Sequence, residues 1–176
     1  MTLATNESIV SFSLPGVDGK TYSPESLAGA SAVAVIFWCN HCPYVRAWEE
    51  RVIALQRDYA ARGVRFLLIN SNDPAKYPED SFEKMQERAR EKGYPFPYLF
   101  DESQAVARGY GATRTPEVFL FDGDQELVYH GAPDDNYDEP AAVQHQYFRD
   151  ALEAVLAGRA PTPAETAARG CTIKWR

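Results

Sequence analysis

Residues 38–43 read Trp38-Cys39-Asn40-His41-Cys42-Pro43, and they follow directly on the uncharged apolar run Ala32-Val33-Ala34-Val35-Ile36-Phe37. Such a run is typical of a central parallel strand that is buried on both faces. Pro43 is typical of the first turn of a helix. The Cys-x-x-Cys pair therefore lies between a strand and the amino end of a helix, whose positive end favours a thiolate. This placement predicts a thiol–disulfide redox site.

The composition fits one folded domain and disfavours nucleic acid and membranes as partners. The chain has 176 residues, of which 45% are hydrophobic and 12% aromatic, and its formal net charge is −7. There is no basic stretch, no signal-peptide pattern, and no apolar run near the ~18 residues of a membrane span. We therefore expect a cytoplasmic protein. In a reducing compartment its three cysteines indicate redox chemistry rather than a structural disulfide framework.

Strand and helix signals alternate along the chain. The order β-α-β, an inserted helix and strand, then β-β-α predicts one α/β sheet domain over residues 1–158. Residues 159–176, rich in Ala, Pro and Thr, form a tail that we expect to dock back on this domain. The predicted strands are 9–14 and 21–22 (an N-terminal hairpin), 32–37, 64–70, 96–100, 118–121 and 126–130. The predicted helices are 44–61, 81–92, 103–110 and 140–156, with a capped turn at 23–27.

These features resemble the thioredoxin superfamily over roughly residues 10–156. The anchors are the motif that contains both cysteines and the string Thr115-Pro116-Glu117 ahead of the predicted second hairpin. The resemblance implies a thioredoxin-like fold, with a central mixed sheet flanked by helices. It also implies that the Thr115–Pro116 bond is cis and sits against the active-site sulfurs.

A narrower resemblance is to a peroxiredoxin-like subgroup, the AhpC/TSA-like redoxin domains. It is carried by the string Cys-Asn-His-Cys-Pro-Tyr-Val, by Asn70-Ser71-Asn72-Asp73, and by the closing Gly170-Cys171-Thr172-Ile173-Lys174-Trp175. We expect the loop at residues 70–73 to shape a substrate groove.

Position in the motif assigns roles to its residues. Cys39 is expected to be the more exposed cysteine, nearer the positive helix end, and to attack as a thiolate. Cys42, one turn in and more buried, is expected to resolve the mixed disulfide. His41 resembles the histidine of protein disulfide isomerase-type motifs and is expected to tune the potential, the alternative being a solvated turn residue. Trp38 is expected to shield the sulfurs.

Proton handling and the third cysteine are less determined. Thioredoxins keep a buried aspartate on the strand before the motif, and here that strand has no acid. Glu117 is the best substitute for that aspartate in proton transfer. The alternative is that Glu117 is a surface or strand-edge carboxylate. Cys171 is either a free buried cysteine or an additional resolving thiol that exchanges with Cys39 or Cys42. The patterns around His130 and His145 predict ordinary surface or helix residues.

Three other functions compete with disulfide exchange. A peroxiredoxin-like peroxidase would use Cys42, but Cys39 replaces the usual Thr or Ser and Val35 the usual proline. Arg114 would activate peroxide there, or it is an exposed loop charge. A zinc site would combine both motif cysteines and His41 with Cys171 or His130, although no second ligand pair occurs. The third competing function is a binding module that has no redox activity.

The sequence therefore predicts a thiol–disulfide oxidoreductase that acts through Cys39 and Cys42, with antioxidant activity implied by the resemblance. Its substrate would be a disulfide in a protein or a small molecule, and an external thiol reductant would regenerate the dithiol. No cofactor is expected, because no Gly-x-Gly-x-x-Gly string for a nicotinamide or flavin nucleotide occurs. No metal is expected either.

Overall fold

The computed structural model describes all 176 residues. Its strands are β1 (Leu14–Pro15), β2 (Thr21–Tyr22), β3 (Ala32–Phe37), β4 (Val64–Asn70), β5 (Tyr98–Phe100), β6 (Arg114–Thr115), β7 (Glu117–Phe121), β8 (Leu127–Gly131) and β9 (Cys171–Thr172). Its α-helices are α1 (Pro43–Tyr59), α2 (Phe82–Lys92), α3 (Ala105–Tyr110) and α4 (Tyr147–Leu156). Short 3-10 helices span Pro24–Leu27, Ala60–Arg62, Pro78–Asp80 and Pro140–Ala142.

A five-stranded mixed sheet with the order β5-β4-β3-β7-β8 forms the centre of the fold. The strands β3, β4 and β5 are parallel, whereas β7 pairs antiparallel with both β3 and β8. All residues of β3 are buried, because both faces of this central strand are covered. The predicted mixed sheet and the α/β fold class are confirmed.

Alternate residues of β3 face two hydrophobic cores. Ala32, Ala34 and Ile36 pack with α1, α2 and α4 in a cluster of 26 buried residues. Val33 and Val35 face the opposite cluster of 17 buried residues, which includes α3 and β1. The period of two along a strand produces this division. None of the helices has the length and apolar character that crossing a membrane requires.

Helix α1 positions the motif. Pro43 is its first residue, and Cys42 is its N-cap. Val45, Trp48 and Val52 recur at spacings of three and four and are all buried, which holds the helix on the sheet. The positive end of α1 is thereby directed at the loop that follows β3.

Two predicted elements are shorter than expected. Of residues 9–14, only Leu14 lies in a strand, because the preceding segment bonds instead to the β7–β8 turn, with the Ile9 amide donating to Gln125. Of residues 140–156, only those from Tyr147 are α-helical. The segment before them is held extended by hydrogen bonds to Asp135, whose carboxylate accepts from the amide of Gln144 at 3.0 Å.

Residues 159–176 run back along the domain. The amide of Thr166 donates to the carbonyl of His130 beside β8, and β9 then pairs antiparallel with β6. In that pairing Cys171 lies opposite Thr115. The tail therefore ends against the loop that precedes Pro116. The division of the chain at residue 158 stays a prediction.

Candidate active site

Both motif cysteines are buried at the amino end of α1. Cys39 is 1% and Cys42 is 0% exposed, and neither is in a disulfide. Both sulfurs contact the same residue, Thr115, and therefore lie close together. Neither cysteine is exposed, and the expectation that Cys39 lies nearer the positive helix end is wrong, because Cys42 itself caps α1.

The surroundings of the two sulfurs favour a thiolate on Cys42. The hydrogen bond from the Cys39 thiol is the largest cause that lowers the pKa of Cys42, to about 4, against the opposing effect of burial. The Cys171 thiol and the amides of Val45 and Cys171 lower it further. The pKa of Cys39 is raised well above its ordinary value by the hydrogen bond to Cys42, by burial and by the charge of Asp80. These shifts favour Cys42 over Cys39 as the thiolate of the reduced state.

We expect one thiolate per molecule at neutral pH, on Cys42. Because its pKa is lowered on folding, its contribution to stability is present above the ordinary thiol pKa and is lost as the pH falls toward about 4. Ultraviolet absorbance of the thiolate, followed during an acid titration of the reduced protein, measures this. The band should be missing at neutral pH in Cys42→Ser and retained in Cys171→Ser. A band that appears only near the ordinary thiol pKa in the native protein contradicts the assignment.

Thr115 contacts both sulfurs, and the Thr115–Pro116 peptide bond is cis, as the resemblance implied. Its hydroxyl lies 3.5 Å from the Cys39 sulfur, and its carbonyl oxygen lies 3.4 Å from the Cys42 sulfur. Trp38 is fully buried in the same hydrophobic cluster as the two cysteines, and its indole N–H donates to the Tyr94 hydroxyl at 3.2 Å. Thr115 therefore forms a wall of the site, and the shielding role of Trp38 stays a prediction.

The motif loop is fixed by Asp80, a buried acid that the sequence analysis missed. Oδ1 of Asp80 accepts from the Asn40 amide at 2.8 Å, and Oδ2 accepts from Nδ2 of Asn72 at 2.8 Å. Nδ1 of His41 lies 2.5 Å from Oδ2, out of line for a hydrogen bond. Asp80 is separated from the motif by forty residues, and its only sequence signal is its place just before the N-cap Ser81 of α2.

His41 is directed at Asp80 and stacks on Tyr77, with ring centroids 5.5 Å apart. Its side chain is 25% exposed, so it is more than a fully solvated turn residue. Cys39, His41 and Asp80 offer ligand atoms that all lie within 4.8 Å of one another, a set that differs from the zinc ligands weighed in the sequence.

Glu117 is buried, and both oxygens of its carboxylate have polar partners. Oε2 accepts from the amides of Thr113 and Arg114 at 2.8 and 3.0 Å, and Oε1 lies 2.7 Å from Nε2 of His130. The expectation of an ordinary surface or helix residue is wrong for His130, which lies on β8 and stacks on Phe119. Glu117 thus braces the turn before Pro116, and a role in proton handling stays a prediction.

The C-terminal strap, residues 170–176, covers the site. Cys171 is the one partly exposed cysteine, and it lies opposite Thr115, whose carbonyl oxygen is 3.4 Å from the Cys42 sulfur. The exposed Arg114 donates to the carbonyl of Gly170 at 3.0 Å. The loop at residues 70–73 was expected to shape a substrate groove. Its buried Asn72 instead accepts from the amide of Lys174 at 2.9 Å.

Replacing Gly170 with alanine should loosen the strap. The new Cβ would meet the carbonyl oxygen of Thr115 at 2.0 Å, far inside van der Waals contact, so β9 would have to shift away from β6. We expect faster alkylation of Cys39 and Cys42 by iodoacetamide, measured by mass spectrometry of quenched samples. Gly158→Ala, where an added Cβ meets no neighbour although φ is positive, is the control for an unrelated glycine. Equal alkylation rates for Gly170→Ala and the native chain would show that the strap does not limit access.

Comparison with known proteins agrees with this geometry. The family model described as Redoxin matches residues 4–145. An uncharacterized conserved protein from Geobacillus kaustophilus is 40% identical, with a TM-score of 0.94 over 99% of this chain and 94% of that one. A hypothetical protein from Sinorhizobium meliloti 1021 is 35% identical, with a TM-score of 0.92 over 100% of this chain and 97% of that one.

A more distant structure shares the fold alone. A thiol:disulfide interchange protein of the thioredoxin family from Chlorobium tepidum TLS is 22% identical, with a TM-score of 0.67 over 86% of this chain and 98% of that one. The search of curated proteins found no match. The match over most of its length shows that this chain, with its thioredoxin-like sheet topology and its buried Cys-x-x-Cys at the start of α1, belongs to the Redoxin family.

Proposed function

We propose that the protein is a thiol–disulfide oxidoreductase whose redox couple is Cys39 and Cys42. The observation that carries the proposal is that both sulfurs contact Thr115 at the amino end of α1, one at 3.5 Å from its hydroxyl and the other at 3.4 Å from its carbonyl oxygen. Two sulfurs held against one residue need little movement to form a disulfide, and the lowered pKa of Cys42 supplies the nucleophile.

The cycle transfers two electrons. A thiolate of the couple attacks one sulfur of a substrate disulfide, and the other substrate sulfur leaves with the electron pair and takes up a proton. The second cysteine then attacks the mixed disulfide, which releases the remaining substrate thiol and leaves a Cys39–Cys42 bond. An external thiol restores the dithiol. The charge distribution favours Cys42 for the first attack, whereas the order predicted from the sequence, with Cys39 attacking, requires that the proton moves from Cys39 to Cys42 when substrate binds.

A peroxidase is the second candidate, because the lowered pKa of Cys42 also suits attack on a peroxide. In that reaction the thiolate takes one oxygen and becomes a sulfenic acid while hydroxide leaves. Cys39 then condenses with the sulfenic acid to form a disulfide and water. Against this candidate, the guanidinium of Arg114 is exposed and bonded to the strap.

Oxidation of the reduced protein by two probes separates the candidates. We expect hydroxyethyl disulfide to oxidise the couple catalytically in the presence of glutathione, and hydrogen peroxide at the same concentration to react more slowly. The control is the Cys39→Ser/Cys42→Ser double variant, which should turn over neither probe. A higher turnover with peroxide than with the disulfide would favour the peroxidase. The cytoplasmic location and the identity of the external reductant stay predictions.

A further inference from the structure

The redox couple is sealed from solvent in this closed structure, while the third cysteine is not. Cys39 and Cys42 are 1% and 0% exposed. Cys171, on β9 of the strap, is partly exposed and lies opposite Thr115, whose carbonyl oxygen is 3.4 Å from the Cys42 sulfur and whose hydroxyl is 3.5 Å from the Cys39 sulfur. Cys171 also packs against the hydrophobic cluster that contains Cys39 and Cys42. Cys42 influences the pKa of both other thiols, so the three cysteines form a row from the interior to the surface with Cys42 in the middle.

The strap holds Cys171 firmly at this place. β9 pairs with β6, and the amide of Ile173 donates to Thr113 at 2.9 Å. The carbonyl of Lys174 accepts from the Asp73 amide at 2.9 Å and from the Gln104 side chain at 3.0 Å. Ile173 is buried in the core on the far side of the sheet. These contacts hold the Cys171 thiol beside Cys42 before the reaction. Little conformational entropy is therefore lost when the two sulfurs meet.

We propose that Cys171 is a shuttle thiol, which passes electrons between thiols in solution and the buried Cys39–Cys42 couple by forming a transient disulfide with Cys42. The inference rests on the proposed disulfide-exchange function and deepens it. The exchange partner that reaches Cys171 is a small thiol or a flexible cysteine of another protein, because the thiol is only partly exposed.

Reduction of the Cys39–Cys42 disulfide takes three successive thiol–disulfide exchanges. The Cys171 thiolate attacks the Cys42 sulfur of the Cys39–Cys42 disulfide, and Cys39 leaves with the electron pair and takes up a proton. An external thiolate then attacks the Cys171 sulfur, and Cys42 leaves as a thiolate. A second external thiolate attacks the mixed disulfide, which releases an external disulfide and the Cys171 thiol. Two external thiols are thereby oxidised and one protein disulfide is reduced.

The charges around the row suit these steps. Burial and the hydrogen bond to Cys42 raise the pKa of Cys171 to about 11 in the reduced state, and Lys174 opposes this. When Cys42 is bonded to Cys39 its negative charge is gone, so that cause of the raised pKa is removed. Cys42 itself leaves readily because its pKa is low.

The first test traps the intermediate. Cys39→Ser is oxidised with hydroxyethyl disulfide, quenched in acid, alkylated and mapped by mass spectrometry. We expect a Cys42–Cys171 disulfide with no adduct and no alkylation at either residue. A hydroxyethyl adduct that stays on Cys42, with Cys171 free for alkylation, overturns the proposal. Cys39→Ser/Cys171→Ser should give that stable adduct and is the reference for it.

The second test measures how fast glutathione reduces the Cys39–Cys42 disulfide with and without Cys171. Cys171→Ser, oxidised at Cys39 and Cys42, is reduced by glutathione, and the rate should fall about tenfold or more because the remaining disulfide is buried. Thr172→Ser, an exposed neighbour on the same strand, is the matched control and should reduce at the native rate. Equal rates for Cys171→Ser and the native chain overturn the shuttle. If the native chain itself never forms the Cys39–Cys42 disulfide, the proposed function fails rather than the shuttle.

Discussion

Cys42→Ser is expected to abolish disulfide exchange, with turnover falling by about three orders of magnitude or more. Cys42 is the middle of the three sulfurs, it caps α1, and it carries the thiolate of the reduced state. Serine keeps the size of the side chain but supplies neither a nucleophile at neutral pH nor a bridge to Cys39. Turnover of hydroxyethyl disulfide with glutathione as the reductant measures the loss.

Cys39→Ser is the informative comparison for that variant. It retains the Cys42 thiolate and the contact to Cys171, so a first attack on substrate should survive while steady-state turnover drops. A circular dichroism melt of each variant shows whether the fold is kept. If Cys42→Ser keeps activity that Cys39→Ser loses, the thiolate resides on Cys39, and the order of attack predicted from the sequence is correct.

Asp80→Asn is expected to have the second largest effect, on stability and on the thiols together. Asp80 is fully buried and accepts from Asn40 and Asn72. The asparagine NH₂ group must face one of those donors, so one buried hydrogen bond becomes a clash of donors, at a cost of about 2–4 kcal/mol. Chemical unfolding of the reduced protein measures this cost.

The same substitution should lower the pKa of Cys39, because the negative charge of Asp80 is one of the causes that raise this pKa. The thiol titration should then show a second thiolate at lower pH than in the native chain. Glu79→Gln, an exposed acid next in sequence, is the matched control and should change neither quantity by much. If the substitution lowers stability but leaves the thiol titration unchanged, Asp80 supports the fold without affecting the thiols.

Local patterns in the sequence were enough to predict the fold. The uncharged run at residues 32–37, Pro43 and the three-and-four spacing in α1 each reflect one strong local force, either burial of apolar side chains or the geometry of a helix start. Residues 140–146 were predicted to belong to an α-helix and do not, since they form a short 3-10 turn followed by a segment held by hydrogen bonds to Asp135. That competition depends on a tertiary contact, which no local pattern displays.

The site was predictable only where its parts are close in sequence. Cys39, Cys42 and Thr115-Pro116 could be found from the motif and the resemblance. Asp80 could not, because its partners Asn40 and Asn72 meet it only after α1 and β4 are packed. The burial of Cys39 was not expected, because the Thr115 hydroxyl that lies against its sulfur comes from a segment 76 residues away.

Equilibration of the native chain in glutathione buffers of graded potential, with every disulfide mapped by mass spectrometry, tests the central claim most directly. The account predicts one reversible Cys39–Cys42 disulfide as the main oxidised form. Its potential should lie above the thioredoxin value of about −270 mV, because a low thiol pKa stabilises the reduced state. Failure of this pair to close at any buffer potential, or a stable bond from Cys171 in its place, would contradict the account.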